Sequence, residues 1–372
     1  MDFALLIEEL RAGAHWQPDG RIDLGGVEFK FETIDGQLLA TAEADGSEPV
    51  PIAGKNVRLD VKEDGHIAFY ATKSGRRKMV NNVIAVEAMN IIEGDVGADT
   101  GNVKVEGDLY IKGSVGKQYA VQCDGNVLIG DRVEEGGQVS AKGNLIIGGR
   151  VFGRQTKLIA LGDVFAQSIQ EATVQCRRDL FFGDGLSYAN VRVGRDLRAH
   201  NACKGVVKGG ESWALNKIEV LVAGSPGHET TEFTAGVDPV RARQLDEVAQ
   251  KLEECGKQIM HQLHRFNMEK LDVGAIQARL ATVSGAQRQV LVQAARILGQ
   301  QVQERQGLVR QRQKILKESI AAMDDRGGVQ IWEQVFPGVK VYLGDQSHVV
   351  EEDCDCLAVT FNDGCMEVVV LP

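Results

Sequence analysis

Aliphatic side chains recur at every sixth position over a long central stretch of the chain. The set is Leu109, Val115, Val121, Val127, Val133, Val139, Leu145 and Val151. A spacing of six fits neither the turn of an α-helix nor the two-residue pleat of a strand. It fits a chain that makes three short strands and three corners in each coil of eighteen residues. The pattern predicts a mainly β fold built on a single-stranded β-helix, a repeat in which each coil packs on its neighbours.

A glycine followed by Asp or Asn precedes every third aliphatic position of this repeat. The pairs are Gly107-Asp108, Gly125-Asn126 and Gly143-Asn144. We expect these glycines to be corner residues with positive φ, a conformation that Asp and Asn also tolerate. Later the same corner falls on Gly162, Arg178, Arg195 and Gly210. At the two arginines the corner either relaxes to negative φ or carries strain. We expect about seven coils in residues 96–235.

Residues 1–95 have the pattern of a small α+β module. Asp2 can cap a short helix whose apolar residues share one side. Alternating apolar and polar residues then predict several strands. The predicted helix carries Phe3, Leu6, Ile7 and Leu10, and the predicted strands contain Val27 to Phe31, Gln37 to Ala42, Val57 to Val61 and Ile67 to Ala71.

Residues 236–326 change to the spacing of helices. Apolar residues recur at steps of three and four from Leu245 to Phe266 and again from Leu291 to Leu316. Asp238-Pro239 offers an N-cap with proline in the first helical position. The segment therefore predicts an inserted antiparallel coiled-coil hairpin, an arm. Residues 327–372 return to alternation, and we expect them to pack on the β-helix because they are too few to bury a core alone.

Charge is distributed unevenly along the chain. The formal net charge is −10. Residues 238–326 hold 15 Lys+Arg and 11 Asp+Glu, so they carry +4 and leave −14 for the remainder. We therefore expect a basic arm on an acidic rod. The excess lies in the second helix, and the acids near the start of the first helix would lie opposite its basic end, so that their attraction could fix the register.

Composition excludes several classes of protein. An acidic chain lacks the basic footprint of a general nucleic-acid binder. The first residues have no secretory pattern, and no apolar run is long enough to span a membrane. Seven cysteines without a disulfide framework predict reduced thiols and a cytoplasmic location.

Two groups of residues raise the question of a metal site. The first is Cys354, Cys356 and Cys365 with His348, but the spacing is not that of a common zinc site, and packing is the better interpretation. The second is His261 with His264, one helical turn apart and without a further ligand in register. Cys123 and Cys176 fall on inward positions and predict core residues. We predict no catalytic, metal-binding or cofactor-binding residue and no cofactor.

The six-residue period also raises enzyme alternatives. It resembles the hexapeptide acyltransferases, in which a small or polar residue usually follows the aliphatic one. Here half of the followers are large or apolar, among them Tyr110, Leu128, Ile146 and Phe152, and the only candidate base in the repeat is His200. A polysaccharide lyase would need acids clustered with basic residues. The sequence shows no acidic cluster that matches the arginines of the coils. Those arginines are Arg150, Arg154, Arg177, Arg178, Arg192, Arg195 and Arg198.

Three short motifs resemble the bacterial flagellar assembly protein A family. Gly94-Asp95-Val96 with Thr100-Gly101-Asn102-Val103 resembles the entry to its β-helix. Gly224-Ser225-Pro226-Gly227 resembles the turn before its helical insertion, and Phe336-Pro337-Gly338-Val339 resembles the strand that returns. The resemblance covers the order of parts from about residue 80 onward. It implies a right-handed coil and a cytoplasmic, non-catalytic protein linked to flagellar assembly or its regulation.

These observations favour a scaffold or regulatory adaptor. Its protein partner would bind the arm, through the basic second helix or the tip, with no role for nucleic acid. The repeat also resembles that of the bactofilins, which would make the protein a self-assembling cytoskeletal element. Both ends of the predicted rod are covered by other segments, which argues against open stacking. Homo-oligomerisation is left open.

Overall fold

Three parallel ladders of short strands form the rod of the molecule. The computed structural model describes residues 3–25, 33–43, 49–62, 65–324, 326–362 and 365–371. In the third ladder, parallel contacts run from Val96 to Val335 and span eight turns of the solenoid. The predicted mainly β solenoid is therefore confirmed. The sense of its coil stays a prediction from the family resemblance.

The first ladder is made of the strands that directly follow each corner. The second ladder is made of the strands that directly precede the next corner. The strands of the first ladder are β6 Val83–Ile92, β8 Asp108–Ile111, β10 Val127–Ile129, β12 Leu145–Phe152, β14 Val164–Gln170, β16 Leu180–Val193, β17 Leu197–Ala199, β19 Lys217–Ala223 and β21 Gly328–Val335. Those of the second are β7 Val103–Val105, β9 Ala120–Cys123, β11 Gln138–Ala141, β13 Lys157–Ala160, β15 Thr173–Cys176, the second half of β16, β18 Val206–Ala214, β20 Thr231–Ala235 and β22 Val339–Leu343.

The interior of the solenoid is a narrow aliphatic column. All eight residues of the six-residue repeat are buried, with no more than 1% of the side chain exposed. Leu109 and Val127 stack in the first ladder, Val121 and Val139 in the second. Cys123 and Cys176 belong to the same core, as predicted. Burial raises the pKa of the Cys123 thiol to about 11 and also raises that of Cys176, so both thiols stay protonated and unreactive.

The corner glycines have a different reason from the predicted one. Gly107 has a φ of 81°, but Gly125, Gly143 and Gly162 do not adopt left-handed φ. Gly210 has a φ of 77°, but the register places the corner of that coil at Asn216, so the prediction of a corner at Gly210 was wrong. A Cβ at Gly143 would instead lie 2.5 Å from Oδ1 of Asn126 in the previous coil. Glycine is required there because a side chain of the preceding coil occupies the space. Arg178 and Arg195 also lack positive φ, so the corner relaxes at these two positions.

The N-terminal helix lies along the rod. This helix, α1 Phe3–Arg11, buries its four predicted apolar residues against outward side chains of the first ladder, including Leu128, Ile146 and Phe165. The segment that follows α1 is held by a hydrogen bond from the amide of Ile22 to the carbonyl of Gly148. Three of the large followers noted in the sequence, Tyr110, Leu128 and Ile146, therefore lie beneath α1.

In the sequence between α1 and the first strand of the rod, the chain forms a small antiparallel sheet. Its strands lie in the order β1 Leu38–Glu43, β4 His66–Ala71, β3 Val57–Val61. Strands β3 and β4 fall on two of the predicted strands and pair antiparallel. Strands β2 Ile52–Ala53 and β5 Gly75–Val80 pair with β6, whose last four residues enter the first ladder. The predicted strand from Val27 to Phe31 lies outside the described residues.

The chain leaves the solenoid after β20 and returns at β21. Between them lie α2 Pro239–His264, α3 Val273–Thr282 and α4 Gly285–Ile320. After the return, β21 pairs in parallel with β19 and β22 with β20, so one further coil is completed. Strands β23 Gln346–Val349 and β24 Cys356–Asn362 then pair antiparallel with β22 and β21, and β25 Cys365–Leu371 pairs with β24. Antiparallel strands thus cover the last coil.

Candidate functional site

The helical arm is the most prominent feature that projects from the rod. α2 and α4 lie antiparallel, because Leu245 and Ile315 share one cluster near the rod and Leu263 and Leu291 share another at the far end. With 36 residues and a rise of about 1.5 Å per residue, α4 is about 54 Å long. The short helix α3 closes the tip by burying Ile276 in the distal cluster.

The root of the arm is fixed to the rod by specific contacts. Asp238 caps α2 by accepting hydrogen bonds from the amides of Val240 and Arg241 at 2.8 and 2.9 Å. Nη1 of Arg192, on the rod, lies 2.5 Å from Oδ2 of Asp246 on α2. The same guanidinium lies over the ring of Trp213, 5.3 Å from its centroid. These contacts set the direction in which the arm leaves the rod.

The middle of the arm has a polar seam. The thiol of Cys255 contacts the carbonyl oxygen of Gln301 at 3.2 Å, and Nε2 of Gln301 donates to Gln258 at 3.1 Å. The side-chain oxygens of Gln262 and Gln301 are buried and have no hydrogen-bond partner among the described residues. A buried acceptor without a donor costs stability, so this part of the arm is weaker than its two ends.

Ion pairs between the two helices were expected and are not found. Three of the four carboxylates of α2 pair within their own helix or with the rod: Glu247 with Arg243 at 3.4 Å, Glu253 with Lys257 at 2.6 Å, and Asp246 with Arg192. Within the described part of the chain, no acid of α2 lies within 4.0 Å of a cation of α4. The register is therefore set by the apolar clusters and by the contacts of Gln301.

The basic character of the arm stands, but the expected acidic rod does not. Residues 96–235 hold 16 Lys+Arg and 16 Asp+Glu, so the rod is balanced. The negative charge lies at the two ends instead. Residues 1–95 hold 10 basic and 17 acidic residues, and residues 327–372 hold 1 and 8. The arm is thus the only one of the four segments with a net positive charge.

Within the described residues, five of the seven arginines along the coils have acidic partners that the sequence pattern did not reveal: Arg154, Arg178, Arg192, Arg195 and Arg198. Asp163, Asp179 and Asp196 succeed one another at the corner and are buried. Nη2 of Arg11, from α1, lies 2.5 Å from Oδ2 of Asp163, and Arg198 lies 2.7 Å from Asp196. Burial raises the pKa of Asp179, while Arg195 opposes that shift. These pairs hold α1 and the corners together. They give a structural role to Arg178, Arg195 and Arg198, which the enzyme hypothesis would place in a groove.

A half-open pocket of about 490 Å³ lies where α1 ends on the rod. Arg198, Glu219 and Trp332 line it together with His200. The ring of His200 stacks on Trp16, with centroids 5.0 Å apart, and its Nδ1 accepts from the amide of Ala202 at 3.3 Å. Burial lowers the pKa of His200 and favours its neutral form. Arg198 and Glu219 face each other at 3.4 Å, so the polar floor of the pocket is internally paired.

The thiols that raised a zinc hypothesis do not converge. Cys356 stands at one end of the β24–β25 hairpin and Cys365 at the other, opposite Asn362. Cys354 forms an isolated bridge with Val335 before the hairpin begins. His261 and His264 are both exposed on α2. In the described ranges no group of three or more His, Cys, Asp or Glu side chains could hold a metal ion.

None of the helices in the described residues is both long enough and apolar enough to cross a bilayer.

Comparison with known proteins gives one family. Residues 89–366, about three quarters of the chain, match the model of the Flagellar Assembly Protein A beta solenoid domain. The match begins where β6 enters the first ladder and ends within β25, so it includes the arm. No curated protein and no solved structure matches the chain.

Proposed function

Because this chain belongs to the family of the Flagellar Assembly Protein A beta solenoid domain, and so is related to flagellar assembly, we propose that it is a non-catalytic scaffold or regulatory adaptor. In this proposal the rod is a rigid support and the arm binds a protein partner. We also propose the division into residues 1–95, 96–235, 236–326 and 327–372, and a cytoplasmic location. The seven unpaired cysteines support that location.

One observation carries the proposal: the arm is a long projection that is fixed at its root and ends in a core of its own. The solenoid does not need it, since β19 and β20 already pair with β21 and β22. The distal cluster of Leu263, Ile276 and Leu291 gives the tip a defined shape. Exposed apolar residues surround that tip, with Val273 62% and Val290 57% exposed. A defined, partly apolar tip is suited to protein recognition.

The experiment compares the full chain with a chain that lacks residues 239–323. The amides of Gly236 and Gly328 bond to the neighbouring carbonyls of Leu215 and Asn216, so a short glycine linker can close the gap. We expect full-length protein to capture a partner from extracts of the native cell and the deletion to lose it, with the rod still folded by circular dichroism. Unchanged capture by the folded deletion would show that the arm is not the binding element.

Motility gives the second measurement. A strain that lacks the gene should recover swimming with the full chain and fail to recover with the deletion.

The self-assembling alternative is weaker, because antiparallel strands cover the last coil and the β5–β6 hairpin lies at the first.

A further inference from the structure

The side of α4 that faces away from α2 carries mainly basic residues, with Glu318 as an acid beside them. Buried residues of α4 recur at Leu291, Ala294, Leu298 and Ile315. About half a turn away from them, at intervals of seven, lie Arg296, Gln303, Arg310 and Lys317, all exposed. Intervals of seven keep residues on one side of a helix that packs along a partner. We call these four residues and the adjacent Lys314 the outer stripe.

The outer stripe differs from an ordinary solvated helix face. Exposed helices usually mix acids and bases at intervals of four, which stabilises them. The outer side of α2 follows that rule, with the pairs Arg243–Glu247 and Lys257–Glu253. In the stripe only Lys314 has an acid within reach, Glu318 at 3.9 Å, and within the described chain Arg296, Arg310 and Lys317 form no ion pair. One arm therefore presents one balanced side and one basic side.

The spacing of the charges limits what could bind. Arg296, Arg310 and Lys317 extend over about 32 Å at 1.5 Å per residue, so positions of the stripe recur about every 10 Å. Duplex DNA presents one phosphate per about 1.7 Å of axis, far denser than the stripe. A helix with an acid once per heptad matches its spacing. The stripe also lacks an apolar edge for a bilayer, since among neighbouring outward positions only Val292 is large and apolar.

We propose that the outer stripe is the docking face for an acidic α-helix of a partner protein, with carboxylates at seven-residue intervals. This inference rests on the proposed role of the arm and specifies which surface of the arm is used. The negative charge of the other segments of this chain favours a protein helix over a long polyanion as the partner. The segments 1–95 and 327–372 each carry a net −7, and they would repel a polyanion extending past the arm.

The test uses full-length protein and a synthetic helical peptide of four heptads with glutamate at one position of each heptad. One variant reverses the stripe: Arg296→Glu, Arg310→Glu and Lys317→Glu together. A matched variant makes the same change of charge on α2: Arg243→Glu, Lys251→Glu and Lys257→Glu. We expect the peptide to bind the unaltered protein in low salt, the stripe variant to bind at least about tenfold more weakly, and the α2 variant to bind about as well as the unaltered protein.

Three results would overturn the inference: equal weakening by both variants, no binding of the peptide, or tighter binding of duplex DNA or of phosphatidylglycerol vesicles than of the peptide. Capture from cell extracts separates this inference from the proposed function. If the arm deletion loses the partner while the stripe variant keeps it, the adaptor role stands and the stripe is not the docking face. If both keep the partner, both proposals fail.

Discussion

At the corner before each strand of the first ladder, a side-chain oxygen of one coil accepts a hydrogen bond from the next coil. Oδ1 of Asp108 accepts from the amide of Asn126 at 2.7 Å and from its side chain at 2.9 Å. Asn126 does the same for Asn144 at 2.9 and 2.8 Å. The same hydrogen bond is therefore repeated from coil to coil, and its acceptor is either an amide oxygen or a carboxylate oxygen.

Asp108 therefore offers a test of charge at this corner. Burial raises its pKa, so the folded state favours the protonated acid. The wild type consequently loses stability as the pH rises from the ordinary value of 3.8 through the higher folded pKa. Asp108→Asn keeps the acceptor without the charge. We expect the variant to be more stable by about 0.5 kcal/mol at pH 7, with the gain vanishing below the ordinary pKa. Urea unfolding across this pH range measures it.

The opposite result would be informative at the same position. A variant that is less stable than the wild type at pH 7, or a gain that does not change with pH, would mean that the carboxylate charge stabilises the corner.

The corner glycines give a second test at the residue scale. A Cβ at Gly143 would meet Oδ1 of Asn126 at 2.5 Å and its amide nitrogen at 2.9 Å. Gly143→Ala should therefore cost about 1–3 kcal/mol, because neither the neighbouring backbone nor the bonded side chain can move away. Gly97, where a Cβ meets nothing within 4 Å, provides the control, and Gly97→Ala should stay within about 0.5 kcal/mol. Thermal unfolding of both variants decides whether the side-chain ladder fixes the glycine.

What the sequence could predict at this scale depends on distance along the chain. The inward aliphatic residues were identified because their period is local and regular. The pairing of Arg11 with Asp163 was not, because it joins residues 152 positions apart through a helix docked on the rod. The acids of the corner were overlooked for a related reason: Asp163, Asp179 and Asp196 form a column only when the register of successive coils is known.

At the scale of elements, the seam of the arm combines apolar ends with a polar middle. Gln262 is 8% exposed, and within the described chain its side-chain oxygen has no hydrogen-bond partner. Gln262→Leu removes the unpaired acceptor and adds apolar contact with the distal cluster. We expect the distal half of the arm to open less often, by about 1 kcal/mol, which corresponds to about fivefold slower amide exchange.

Gln250 supplies the control for that change, because it lies exposed on the same helix. Gln250→Leu should leave the exchange rates of the arm unchanged. Equal protection in the two variants would mean that leucine acts through helix propensity and that the buried oxygen is not the weak point.

Elements also differed in how well their partners could be inferred. The two long helices and their antiparallel arrangement follow from heptad spacing and a short tip. The docking of α1 does not, since its apolar side could have met any sheet. The clue was present in the large followers Tyr110, Leu128 and Ile146, which an uncovered coil would not expose to water. In the same way, the net positive charge of α4 could be counted from the sequence. Which side of the helix carries that charge away from α2 is known only from the packing of the two helices.

At the scale of the whole molecule, the ends of the rod decide between a discrete adaptor and a filament. A solenoid end is an open set of strand edges that can pair with another copy. Here β23 and β24 occupy the edges of β22 and β21 through antiparallel pairing. Removing residues 346–372 should expose both edges while leaving eight turns of the solenoid in place.

We expect this truncated chain to associate as its concentration rises, in light scattering and as rods in negative-stain images, and the full chain to do neither. The arm deletion, which removes more mass but keeps both end coverings, is the matched control and should resemble the full chain. A truncated chain that stays folded and does not associate would show that the end strands are not what prevents stacking. Association of the full chain under the same conditions would favour the filament hypothesis, because it would mean that covered ends are no obstacle to assembly.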